Sequence, residues 1–364
     1  MLRLIFFALI IFFITFSCGK DPVADPGDLT SIVYKPENYP LTIPAGLPSL
    51  SDSLLKALTR DGVQLGRHLF YDPILSSDSS MSCSSCHNPH LAFTDNQALS
   101  LGVTGMLGTR SSMSILNTVY FNKGMFWDGR VAGLKEQAIE PVQNPIELHE
   151  IWPNVLEKLK RHPDYPAMFR KAFGINSKSE ITKELAAQAI SQFETILLTG
   201  GNSLFQRQLR GEASFDDADQ QIGSDLFFNA PSSLDAQCFH CHAAPLMMSA
   251  NDFFNNGIDS VKSIDDFIDK GRGAVTNLRF DNGKFKAPSL YNIALTAPYM
   301  HDGRFKTLEE VVDHYNSGGH AAENKNGFVL PLGLSNRQKK SIVAFLNTLT
   351  DTSYLKNPDV LSPF

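Results

Sequence analysis

No excess of basic residues is present: 32 Lys and Arg stand against 38 Asp and Glu, for a formal net charge of -6. A phosphate backbone is held by clustered positive charge, so nucleic acid is excluded as the expected partner. The chain also lacks an apolar run long enough for a spanning helix, which needs roughly 20 residues. Its longest, Leu4 to Phe16 behind Arg3, is shorter and reads as the core of a secretory signal over residues 1–17. Strand-like alternation is scarce, which argues against a β-rich fold. Cysteine is scarce as well. There are five in 364 residues, and their placement leaves none for a structural disulfide, an unusual economy in an exported chain.

The first of the five is Cys18, in "ITFSCGK". That stretch resembles a bacterial lipoprotein processing box, with Ser17 before the cut and Cys18 lipidated. A plain cleaved signal with an incidental thiol is the alternative. The expected location is periplasmic, with the chain anchored to a membrane through its lipid. Residues 18–48, rich in Pro, Asp and Gly, then read as a flexible tether.

The other four cysteines form two copies of one pattern, "CSSCH" at Cys83, Cys86 and His87, and "CFHCH" at Cys238, Cys241 and His242. C-x-x-C-H is the attachment signature of c-type haem. Two thiols add to the vinyl groups and the following imidazole is placed to ligate iron. A zinc site needs four converging ligands and leaves the two histidines unexplained. A thioredoxin-like motif needs a βαβ surround that is missing. Two covalent haems are the expectation.

Helical periodicity surrounds both motifs. It is visible over residues 51–70 and 182–198, and again over 215–228 and 307–319. Gly200 and Gly201 mark a boundary between two units of the same layout. The predicted fold is all-α: two cytochrome c-like haem domains, residues 49–199 and 200–352, packed together and followed by a tail at 353–364. On residues alone, Met300, His314 and Tyr315 are candidates to ligate the second iron. In "TLEEVVDHYNSGG", Thr307 and Glu310 form a capping box, and Leu308, Val311, Val312 and Tyr315 share a stripe. A packed core tyrosine is the competing reading of Tyr315.

The paired motifs, with "FWDGR", "EQAIEPVQNPIE", "KAPSLYNIALTAPYMHDGRF" and "TLEEVVDHYNSGG", resemble the bacterial dihaem cytochrome c peroxidase and MauG family over nearly the whole chain. The resemblance implies a peroxide site at the His87 haem and an electron-handling haem at His242. It places Trp127 between them as a relay, and Glu147 and Gln137 in the distal pocket as the proton-moving acid–base group and its polar neighbour. A helix cap is the alternative for Glu147, with Asn144 capping and Pro145 in the first position. Where many members carry a removable distal histidine this chain has Val103, so the first iron is expected to be open at rest. Tyr315 stands where those members carry an axial methionine, as in the MauG branch, and Met300 where they carry phenylalanine. An anionic phenolate favours ferric and higher states, whereas a thioether raises the potential. A calcium ion is implied at the Thr296 and Pro298 carbonyls, although Ser111, after Arg110, replaces the family's asparagine ligand.

The leading expectation is a peroxidase that reduces hydrogen peroxide with electrons from a small cytochrome c or cupredoxin. A MauG-like enzyme acting on aromatic residues of a partner protein is the second reading, and a dihaem carrier or redox sensor without turnover the third. The remaining histidines read as surface, capping or packing groups, with His90 and His301 near enough to the motifs to meet propionates. "KSIDDFIDKGRG" (262–273) reads as a solvated loop.

Overall fold

A computed structural model describes residues 27–228, 236–248 and 252–364. The expected signal and Cys18 lie outside the described residues. Among those described, no helix is long and apolar enough to cross a membrane. The structure is mostly helical. Its only sheet among the described residues pairs β1 (Phe253–Phe254) with β2 (Phe285–Lys286), antiparallel.

The first domain holds α1 (Asp52–Ala57), α2 (Arg60–Tyr71), α3 (Cys83–Cys86), α4 (Leu134–Gln137), α5 (Glu140–Gln143), α6 (Trp152–Arg161), α7 (Tyr165–Phe173) and α8 (Lys183–Thr195). The second holds α9 (Leu204–Leu209), α10 (Ala218–Phe227), α11 (Gly273–Thr276), α12 (Leu308–Ser317) and α13 (Asn336–Asn347). The periodic stretch 51–70 is two helices rather than one. Leu58 O accepts from Tyr39 N–H at 3.0 Å and Thr59 N–H donates to Gln192 Oε1 at 2.9 Å, so tertiary bonds take the backbone groups that a continuous helix would use. Thr59 Oγ1 then accepts from Gly62 N–H at 3.0 Å and starts α2.

Both domains are organised by one kind of helix crossing. A Cβ on Gly66 of α2 would lie 1.9 Å from Ala189 O of α8, and a Cβ on Gly223 of α10 would lie 1.9 Å from Ser341 O of α13. Only glycine lets the helices approach this closely. The duplication of layout is therefore a duplication of packing. The predicted capping box of α12 is present, with Thr307 Oγ1 accepting from Glu310 N–H at 3.2 Å.

Three segments pack more firmly than their sequence suggests. Of the expected tether, residues 27–48 lie along the body: Leu29 is buried and its N–H donates to Asn176 O at 2.8 Å. The loop 262–273 buries Ile264 and Phe267, and its Asp269 meets Arg110 of the first domain through two bonds of 2.7 and 2.8 Å. The tail folds back over α2, where Tyr71 Oη donates to Val360 O at 2.7 Å and Gln64 Nε2 to Asp359 Oδ1 at 2.8 Å. Each is a contact distant in sequence, which local periodicity cannot report.

Candidate active site

Two large cavities, both open to solvent, sit one in each domain. Cys83, Cys86 and His87 line the first; Cys238, Cys241 and His242 line the second. A large, mostly apolar cavity beside each motif fits a large apolar cofactor in each. The histidines are prepared as ligands. His87 Nδ1 lies 3.0 Å from Phe93 O, and His242 Nδ1 lies 3.1 Å from Pro288 O. A carbonyl only accepts, so the proton sits on Nδ1 and Nε2 is left with its lone pair. Burial lowers both imidazole pKa values, that of His242 to about 4, which keeps the rings neutral. The thiols are in no disulfide, and burial pushes Cys86 and Cys241 up to about 11. Among the described residues no three His, Cys, Asp or Glu side chains converge as a metal cage.

The first cavity's wall includes Glu147, Gln137, Arg130 and Asn144. Burial raises the Glu147 pKa, while Asn144 Nδ2, donating to Oε1 at 2.6 Å, and Arg130 oppose the rise. The capping alternative is not what forms. Asn144 ends α5 instead of starting a helix, and Glu147 N–H returns to Asn144 O at 3.0 Å in a turn. The amide side chain is therefore directed at the carboxylate itself. Val103 N–H donates to Glu147 O at 2.9 Å from the loop whose Leu101 and Leu107 pair across it. That loop is pressed against the Glu147 turn: a Cβ on Gly102 would lie 2.2 Å from Ile146 O.

Trp127 lines both cavities, as do residues 111–114. Its Nε1 donates to Ser111 O at 2.9 Å and its carbonyl accepts from Lys286 N–H at 2.8 Å, which fixes the indole on the shared wall. In the second cavity, Tyr315 and Met300 face one amide. Asn256 Nδ2 donates to Tyr315 Oη at 3.3 Å and reaches Met300 Sδ at 3.4 Å. Burial raises the Tyr315 pKa to about 12, so without a metal it stays a phenol. Asn256 is the residue that sequence reasoning missed. It lies in a "NNG" turn with no local mark of its distant partners.

Thr296 and Pro298 also line the second cavity, but Ser111 Oγ donates to Met300 O at 2.9 Å. His301 is buried in that cavity's wall and stacks on Phe285 at 3.7 Å between ring centres. His90 is exposed and lines neither cavity, in keeping with its reading as a surface residue.

The family model described as di-haem cytochrome c peroxidase matches residues 60–214. Cytochrome-c peroxidase IdrP1 of Denitromonas iodatirespirans is 33% identical over 89% of this chain and 88% of its own length. Methylamine utilization protein MauG of Methylorubrum extorquens is 34% identical over 80% and 79%. Cytochrome c551 peroxidase of Pseudomonas aeruginosa is 34% identical over 89% and 86%. Among solved structures, a MauG-like protein associated with microbial copper homeostasis superposes with a TM-score of 0.81 at 31% identity, over 89% of this chain and 99% of that one.

Proposed function

This chain belongs to the di-haem cytochrome c peroxidase and MauG family, and within it we propose that the chain reduces hydrogen peroxide to water with electrons from a small cytochrome c or cupredoxin. It is a peroxidase-type oxidoreductase carrying two haems. The observation that carries the proposal is the Asn144–Glu147 pair on the wall of the His87 cavity, which Gln137 also lines.

Haem held by Cys83, Cys86 and His87 would supply the iron redox chemistry that breaks the O–O bond. The chain's own residues handle the protons. Glu147 takes one from the near oxygen of peroxide and delivers it to the departing one. Asn144 keeps Oε1 occupied, so Oε2 is the atom left to exchange. Gln137 adds a polar neighbour for the substrate, and Val103, with an aliphatic side chain, offers no group that would ligate iron. Cys238, Cys241 and His242 would hold the second haem, and Trp127, on the wall shared by the two cavities, is placed to relay electrons between the domains. We assign Tyr315 over Met300 as the remaining ligand there, because an amide N–H donor such as Asn256 stabilises a phenolate.

A MauG-like reaction on aromatic residues of a partner protein is the second reading, favoured by Tyr315 and its Asn256 bond. One experiment separates the two. The dihaem protein is mixed with peroxide, with and without a reduced small cytochrome, and its absorption is followed. Rapid turnover of the cytochrome supports the peroxidase; an oxidised state that outlives the donor's presence supports the second reading; no reaction rejects both.

We also propose a calcium ion at the Thr296 and Pro298 carbonyls near Ser111, with neutral donors only and hence weakly held. Unchanged haem spectra and activity after exhaustive chelation would remove it. We further propose a periplasmic lipoprotein anchored through Cys18; a Cys18→Ala chain that still fractionates with membranes would count against that.

A further inference from the structure

One buried acid lies outside the roles assigned so far. Glu194, in the last turn of α8, is 5% exposed and lines the first cavity, and its Oε2 is the one buried side-chain oxygen or nitrogen without a hydrogen-bond partner among the described residues. An unpartnered buried carboxyl is expensive to keep, and the internal duplication shows that the fold does not require it. The two glycine crossings set the register: Gly66 meets Ala189, and Gly223 meets Ser341. Counting along from these contacts, Phe70 and Phe227 correspond, as do Ile190 and Ile342, and all four line their cavities. The same count pairs Glu194 with Leu346, which lines the second cavity. One position on one helix therefore presents leucine to the second cofactor and a carboxyl to the first.

We propose that Glu194 is a proton-coupling residue of the first haem, holding a proton while that iron is reduced and releasing it when the iron is oxidised. This rests on the reading that haem occupies the His87 cavity. The exchange balances: for the one electron the iron gains from an electrode or a small redox protein, Glu194 gains one proton from solvent, and oxidation returns both. Added positive charge at the iron favours the ionised carboxyl, and its loss favours the acid. Leu346 cannot do this, so the coupling belongs to the first domain alone.

The surroundings leave the acid free to respond in this way. Burial alone pushes the Glu194 pKa up to about 8. Charged and titratable groups on the packed elements point elsewhere. On α2, Arg67 donates to Leu361 O and Ser362 O, His68 bonds to Gln64 O, and Tyr71 donates to Val360 O. On α7, Arg170 donates to Ile32 O and Gly174 O; Tyr120 donates to Pro48 O; Lys135 and Glu136 of α4 are not part of the cavity lining. The Glu194 charge helps to raise the Cys83 thiol, and bonding to haem would remove that thiol's proton from the account.

The test is the midpoint potential of each haem against pH, by spectroelectrochemistry on the holoprotein, for the parent, Glu194→Gln and Glu194→Leu. A haem assay showing two haems per chain first establishes the underlying reading independently; a chain without haem at His87 would sink that reading rather than this inference. In the parent, the first haem's potential is expected to fall as pH rises. The slope approaches about 59 mV per unit, the value of a tenfold change for one electron, between the carboxyl's pKa values in the two iron states. Both variants are expected to flatten that slope at the first haem and leave the second unchanged. Because Leu346 already occupies the equivalent place, Glu194→Leu is expected to fold. A parental slope surviving in Glu194→Gln overturns the proposal.

Discussion

Replacing Glu147 by glutamine removes a titrating proton while keeping the side chain's size and its Oε1 acceptor for Asn144. The size of the effect follows from what else the cavity offers. Acid–base catalysis contributes about 10²–10⁴-fold, or about 3–5 kcal/mol. Two other carboxyls line the cavity. Asp128 is held by Arg110 at 2.7 Å and Arg130 at 3.4 Å, and Glu194 lies on the wall by Cys83. Asp128 is tied up in these ion pairs and Glu194 is assigned to the iron's redox proton, so the middle of the range applies, about 10³-fold in the rate of peroxide cleavage. The assay is stopped-flow absorption of the oxidised protein against peroxide concentration, at equal haem content. In the parent the base form is needed, and burial raises the pKa, so the rate is expected to climb with pH through that raised value. The variant is expected to be flat there. A carboxyl with a higher pKa folded than unfolded favours the native state below the unfolded value and loses that advantage as pH rises. The variant should therefore be no less stable than the parent at neutral pH. Parental rates and a parental pH profile in Glu147→Gln would refute the reasoning.

Three further outcomes are expected. Tyr315→Phe should raise the potential of the second haem and change its spectrum alone, as read by redox titration, because a hard anionic donor is lost. Trp127→Phe should keep both haems yet slow electron exchange between them, seen by reducing the second haem and following the first after peroxide. Gly223→Ala places a methyl against Ser341 O and should cost about 1–3 kcal/mol or more in urea unfolding, with Gly66→Ala behaving likewise in the other domain.

The chemistry was legible in the sequence where it is encoded locally. Each C-x-x-C-H is five consecutive residues, and the capping box of α12 spans four, so neither depends on the rest of the fold. The stripe that turned Tyr315 inward is likewise a property of one helix. What escaped was tertiary. Asn256 reaches Tyr315 and Met300 from a distant turn, and Leu58 breaks a periodic helix because Tyr39 claims its carbonyl. Glu194 has no local mark in its helix; only the matching glycine contacts make it correspond to Leu346. Asn144 carried the right residue type for a cap but stands at the wrong end of a helix.

The strap formed by residues 353–360 has a consequence for biogenesis. Tyr354 and Val360 share a core with Phe70, Phe93 and Phe193, beside Cys83. The domain translated first is thus completed by a segment translated after the second domain. Its pocket cannot reach final form on the ribosome until the later domain has emerged, and maturation of the early half waits on the late one.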